Sequence, residues 1–206
     1  MRNVLHLTPD DARRVPWKNG RGVTEELAVW PQHAAFERGD FDWRISKARI
    51  VENGPFSCFE SHERILVVTE GDGLVLVHGD DTRRVRLRRM EPYGFSGDRP
   101  TSAELTHGPV ADFNVMTRRD IVEASVETLA LGSRRTLETL APGHGFVHVL
   151  RGRLVARAVG EEEAFELEAG DSLWLSELRS EEDVDLAGTC SDCALLVVRI
   201  SASRER

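Results

Sequence analysis

Lysine is almost missing from this chain: Lys18 and Lys47 are its two lysines, and arginine supplies the rest of the 27 basic residues. Cysteine is scarce as well. Cys58, Cys190 and Cys193 are too few and too unevenly spaced for a disulfide framework. "CSDC" has Cys-x-x-Cys spacing, but no second Cys/His pair stands near it to complete a tetrahedral zinc site. It also lacks the strand-then-helix setting of a redox motif, so two buried thiols entering the last strand are expected. There is no basic stripe. The formal charge is −8, with acid and base interspersed, which argues against nucleic acid as the main partner. No apolar run approaches membrane-spanning length, and "MRNVLHLTPDDARRV" lacks an apolar signal core. A cytoplasmic protein with no membrane partner is therefore expected. Helical periodicity is thin too, beyond a short turn after Pro9.

What is abundant is strand. "FDWRISKARIV" alternates Phe41, Trp43 and Ile45 with Asp42, Arg44 and Ser46, a period of two. "RILVVTEGDGLVLVHGD" is two apolar runs around a glycine-rich turn, a hairpin signal. These segments recur. "LVVTEGDGLVLV" (66–77) matches "VHVLRGRLVARA" (147–158), with Gly71 answering Gly152. "VRLRRMEPYGFS" (85–96) aligns without gaps on "FELEAGDSLWLS" (165–176), and "DFNVMTR" (112–118) falls on "CALLVVR" (193–199). Three matched pieces in order point to a duplicated antiparallel unit. The expected fold is all-β: a bicupin of two tandem jelly-roll-like barrels, residues 1–120 and 121–206.

The duplication locates function. Asn114 lies on a strand position that this pairing fills with Leu195 in the second copy. Arg44, Ser46, Ser57 and Arg64 also belong to the first half, so the first barrel is expected to keep a polar pocket and the second to serve as scaffold. A one-residue slip in the pairing would reverse the faces.

Cupin barrels often carry a metal on a His-x-His, Glu and later His set. Here His62 stands alone before Gly71, and His107 neighbours a Gly-Pro turn. His144 and His148 are four apart, but the flanking Gly143 and Gly145 make His144 read as a loop residue. Two isolated imidazoles without a third ligand do not make a site, so neither a metal nor another cofactor is expected.

"PWKNGRGVTEEL", "FDWRISKARIVENGPFSCF", "GFSGDRP" and "GPVADFNVMTRR", in order between residues 16 and 119, closely resemble the HutD/Ves family of bacterial bicupins. Arg21, and the pair Glu60-Ser61, depart from the family pattern near the expected pocket mouth. The resemblance implies association with histidine utilisation, as a regulator or metabolite-binding protein for a small carboxylate such as formylglutamate or urocanate. Other members are known as stress-induced proteins. For such a ligand Arg44 and Arg64 offer planar forks, Asn114 a donor and an acceptor, and Ser46 and Ser57 further polar contacts. The opening stretch would cover the mouth, with Trp17 as apolar wall, Lys18 as mobile countercharge and Asn19 on the turn.

Plainer roles stand beside each of these. Arg44 and Arg64 could pair with Asp42 and Glu63 on a solvated face. Asn19-Gly20 is a turn signal in its own right, and Asp112 and Asn114 could satisfy strand-end backbone groups. Trp17, Trp30 and Trp43 suit packing. Two other classes stay open. One is a metal-independent enzyme on a small acid, against which no nucleophile–base pair stands out. The other is a structural module whose second barrel binds a partner, a homodimer being one form.

Overall fold

The computed structural model describes residues 3–16, 22–35, 38–79 and 83–203. These form nineteen strands and one short 3-10 turn. First come β1 (Asn3–Leu7), the turn (Pro9–Asp11), β2 (Arg13–Pro16), β3 (Val23–Trp30) and β4 (Trp43–Ile50). Next are β5 (Gly54–Pro55), β6 (His62–Glu70), β7 (Leu74–His78), β8 (Arg83–Leu87), β9 (Tyr93–Ser96), β10 (Thr101–Leu105) and β11 (Val110–Arg118). The second half holds β12 (Val122–Ala130), β13 (Arg135–Leu140), β14 (Gly143–Arg151) and β15 (Arg153–Ala158). It ends with β16 (Phe165–Glu168), β17 (Ser172–Leu178), β18 (Glu182–Gly188) and β19 (Ala194–Ala202).

The chain divides into two compact units. Residues 12–122 build the first barrel from sheets ordered β2-β3-β4-β11-β6-β9 and β5-β10-β7-β8. Residues 123–203 build the second from β17-β14-β19-β12 and β13-β18-β15-β16, and β1 completes it. This corrects the expected boundary. The opening residues leave the first barrel because β1 runs antiparallel along β17, from Asn3 opposite Ser176 to Leu7 opposite Ser172. His6 Nε2 reaches Asp171 Oδ2 at 3.0 Å, which fastens the same strand.

Period-two alternation makes each sheet two-faced, and the inward faces close each core. In the first barrel Ile50, Leu66, Val68, Leu74, Leu76 and Leu87 belong to one buried cluster. In the second, Leu140, Val147, Val149, Leu154, Leu195 and Val197 do the same. Turn chemistry matches across the copies. Gly71 (φ +87°) and Gly152 (φ +74°) both adopt the left-handed conformation that glycine tolerates. A Cβ on Gly152 would lie 2.5 Å from Cys190 Sγ, which also accepts a hydrogen bond from the Arg153 amide at 3.1 Å. Cys193 is buried, and burial pushes its thiol up; Cys190 is only half-buried.

The strand registers show how the copies correspond. Asn114 pairs with Leu66 in the first barrel, and Val197 pairs with Val147 in the second. A bulge interrupts β11–β6 between Ala111 and Asp112, and one interrupts β14–β19 between Val149 and Arg151, at equivalent places. Asn114 therefore answers Val197, and Asp112 answers Leu195. The sequence pairing of Asn114 with Leu195 was off by two residues. A two-residue slip preserves the face, so the polar-for-apolar exchange stands.

Candidate functional site

β4, β11 and β6 lie side by side in the six-stranded sheet. Arg44 stands opposite Met116, and Met116 opposite Arg64. One row along, Glu26 of β3 faces Ser46, Ser46 faces Asn114, and Asn114 faces Leu66. Opposed residues of an antiparallel ladder share a face. Glu26, Arg44, Ser46, Arg64, Asp112 and Asn114 thus lie on the face of Leu66 and Val68, the interior of the first barrel. All six are buried. The solvated pairing of Arg44 with Asp42 and Arg64 with Glu63 does not occur, because both arginines point inward; Glu63 instead holds Arg119 at 2.6 Å.

The two guanidiniums live differently. Arg44 donates from Nε to Glu26 Oε2 at 2.6 Å and from Nη1 to Ser46 Oγ at 3.3 Å. Arg64 has no carboxylate within salt-bridge distance among the described residues. Its Nε and Nη2 both donate to Asn114 Oδ1, at 3.3 and 3.1 Å. The guanidinium carbon sits 4.9 Å from the Phe56 ring centre and 5.1 Å from that of Phe95, two cation–π contacts. Burial pulls this guanidinium down to about 10, and Arg44 acts in the same direction, while Asp112 and Cys58 oppose it. Burial pushes the Asp112 carboxyl up to about 6, against the pull of Arg64 and of the Ala48 amide, which donates to Asp112 Oδ1 at 3.0 Å.

Arg44, Ser46, Arg64 and Asn114 are thus brought together. Ser57 is not: its side chain is exposed and makes no hydrogen bond among the described residues. Trp17, Lys18 and Asn19 lie outside the described residues. Sequence reading missed Glu26, the countercharge of Arg44, and the two rings that flank Arg64. Asp112 was assigned to backbone satisfaction, and it does accept a backbone amide, but its charge also acts on Arg64. For Glu26 the signal was present in "TEELAV", a glutamate at an inward position of an alternating strand.

The histidines have other work. His62 on β6 has Nδ1 2.7 Å from the Glu60 carbonyl and Nε2 3.4 Å from that of Phe41. His144 lies within β14 rather than in a loop, close to the Trp174 ring, and burial pulls it down to about 4. His148 Nδ1 meets Ser172 Oγ at 2.9 Å. Among the described residues no three His, Cys, Asp or Glu side chains gather as a metal-holding group.

Two duplicated jelly rolls, the first with Glu26, Arg44, Arg64 and Asp112 buried inside it, define a bicupin. Solved proteins of much lower identity share the fold alone. The HutD family model matches residues 9–194, and the chain belongs to the HutD family. It is 36% identical over 146 residues to Protein Ves of Cronobacter sakazakii, covering 69% of this chain and 75% of that one. A conserved protein of unknown function from Pseudomonas aeruginosa PAO1 has the same fold at TM-score 0.86. It is 26% identical, over 97% of this chain and 99% of that one. HutD from Pseudomonas fluorescens SBW25, in its formate condition, gives TM-score 0.79 at 25% identity, over 98% and 100% of the two chains.

Proposed function

We propose that the first barrel binds a small carboxylate and that the protein acts as a cytoplasmic metabolite-responsive regulator in histidine utilisation. One observation carries the reading: Arg64 is a buried guanidinium whose hydrogen bonds within the described residues go to a neutral amide. A buried charge without a counter-ion costs several kcal/mol, at about the scale set by removing one partner of a buried pair. An anionic ligand would relieve that cost. With two rings beside the guanidinium and its Nε–Nη2 edge on Asn114, the edge ending in Nη1 is left for a carboxylate. Asn114 Nδ2 can donate to a second acceptor, which suits the formyl or amide oxygen of an acylated amino acid.

Thermal unfolding with formylglutamate, urocanate and formate tests this. A ligand at a hundred times its dissociation constant should add about 2.7 kcal/mol, a rise in Tm of roughly 5–10 °C for a chain of this size. The rise should vanish in Arg64→Met and persist in chelator. No shift with any of the three acids would refute the reading.

A further inference from the structure

The duplication reverses charge on one pair of equivalent edges. β8 ends the four-stranded sheet of the first barrel, and β16 ends that of the second. The gapless match of 85–96 on 165–176 sets Arg86 on Glu166, Leu87 on Leu167 and Arg88 on Glu168. Both strands alternate alike. Val85 and Leu87, like Phe165 and Leu167, turn toward the core, while the charged residues between them are exposed.

These charges are unspent. Arg83, Arg86 and Arg88 make no ion pair or side-chain hydrogen bond among the described residues, nor do Glu162, Glu163, Glu166 and Glu168. Two other exposed arginines of these sheets are paired, Arg84 with Glu104 and Arg135 with Asp185, while Arg153 of β15 lies opposite Glu168 without an ion pair among the described residues. Among the described residues each edge strand has hydrogen bonds to a neighbouring strand on one side only, β7 for β8 and β15 for β16. Like charges on an exposed edge ordinarily discourage pairing. Here one edge is cationic and the other anionic, so each repels its own kind and matches the other.

We propose that β8 of one copy of this chain docks on β16 of another. In an antiparallel register Arg86 faces Glu168 and Leu87 faces Leu167, and Arg88, the residue after β8, comes opposite Glu166. Ion pairs then line the outer face while the aliphatic side chains continue the inner one. The two contacting surfaces differ, so the contact is head-to-tail and leaves a free edge of each sign on the pair.

Sedimentation velocity of the full chain over a range of protein and salt concentrations tests this. Association should appear at low salt and weaken as salt screens the edges. The pairs Arg86→Glu with Arg88→Glu, and Glu166→Arg with Glu168→Arg, should each weaken self-association by about tenfold or more. An equimolar mixture of the two variants should associate again, since one then has two anionic edges and the other two cationic ones. A wild type that stays monomeric throughout, or association that survives both reversals, overturns the proposal. If a reversed pair does not fold, the corresponding glutamine pair is read by the same criterion.

Discussion

The two barrels descend from one pattern and fill their interiors in opposite ways. The residues that put Arg64, Asp112 and Asn114 inside the first barrel have Gly145, Leu195 and Val197 as counterparts in the second. At Gly145 the space of a side chain is taken by Leu140, whose Cδ1 would lie 2.3 Å from an added Cβ. The exchange also runs backwards once. Met116 of the first barrel answers Arg199, which is held by Glu138, Glu127 and the Thr139 carbonyl. An arginine in the second barrel is matched by acceptors from its own chain, whereas Arg64 in the first is matched by an amide. A buried cation that no carboxylate touches keeps donors for a ligand, and one fully paired is a strut.

The comparison breaks hardest within the first barrel, where both kinds of arginine occur. Arg44→Met removes the 2.6 Å partner of Glu26, which is 5% exposed, and leaves it only the half-exposed Arg13 guanidinium at 3.9 Å. Losing one partner of such a pair costs about 3–5 kcal/mol. Arg64→Met strands no ion-paired carboxylate and should cost far less. Urea unfolding of the two variants should give a much lower midpoint for Arg44→Met at an unchanged m-value. Equal midpoints would mean that the two guanidiniums do the same job.

Asp112 sharpens the contrast through pH. In the folded chain its proton is released near 6, against 3.8 for an ordinary aspartate. Between those values the folded state holds a proton that the unfolded state has lost, so this group's contribution to stability falls as pH rises from 3.8 and levels off above 6. A shift of about two units corresponds to a fall on the order of 3 kcal/mol. Other carboxylates, such as Asp98 with its hydrogen bond from Arg119, are shifted the opposite way and titrate over a lower range. The informative quantity is therefore the wild type minus Asp112→Asn. That difference should change across this window and be flat above it. An anion on Arg64 removes the cation that favours ionised Asp112, so carboxylate binding should tighten as pH falls toward 6.

Much of this was legible because strands announce their faces. Alternation in "FDWRISKARIV" put Arg44 and Ser46 on the face opposite Trp43 and Ile45, and the repeat marked the first half as the polar copy. What alternation cannot show is which face is inward at each polar residue, so a solvated pairing of Arg44 with Asp42 stayed open. It cannot name partners across the sheet either. Glu26 lies eighteen residues from Arg44 in sequence and meets it because β3 lies beside β4. Ser57 misled because a short polar side chain after an aromatic reads the same in a pocket or on a rim. The destination of β1 was hidden for a similar reason. "NVLHL" reads as a strand, but a strand does not name its neighbour.

The mildest change runs the comparison in reverse, by writing the first barrel's chemistry into the second. Val197 is fully buried among aliphatic side chains, opposite Val147. Val197→Asn would place an amide at the Asn114 position with no guanidinium to receive its oxygen, since Gly145 occupies the Arg64 position. A buried polar group left unsatisfied costs about 1–3 kcal/mol. The variant should lower the unfolding free energy by that amount and leave carboxylate-induced stabilisation intact. The reciprocal Asn114→Val keeps the shape but removes the acceptor that holds the Nε–Nη2 edge of Arg64, so the ligand response should be weakened. If Val197→Asn instead abolished that response, the second barrel would be part of the binding machinery, and the division of labour between the copies would be wrong.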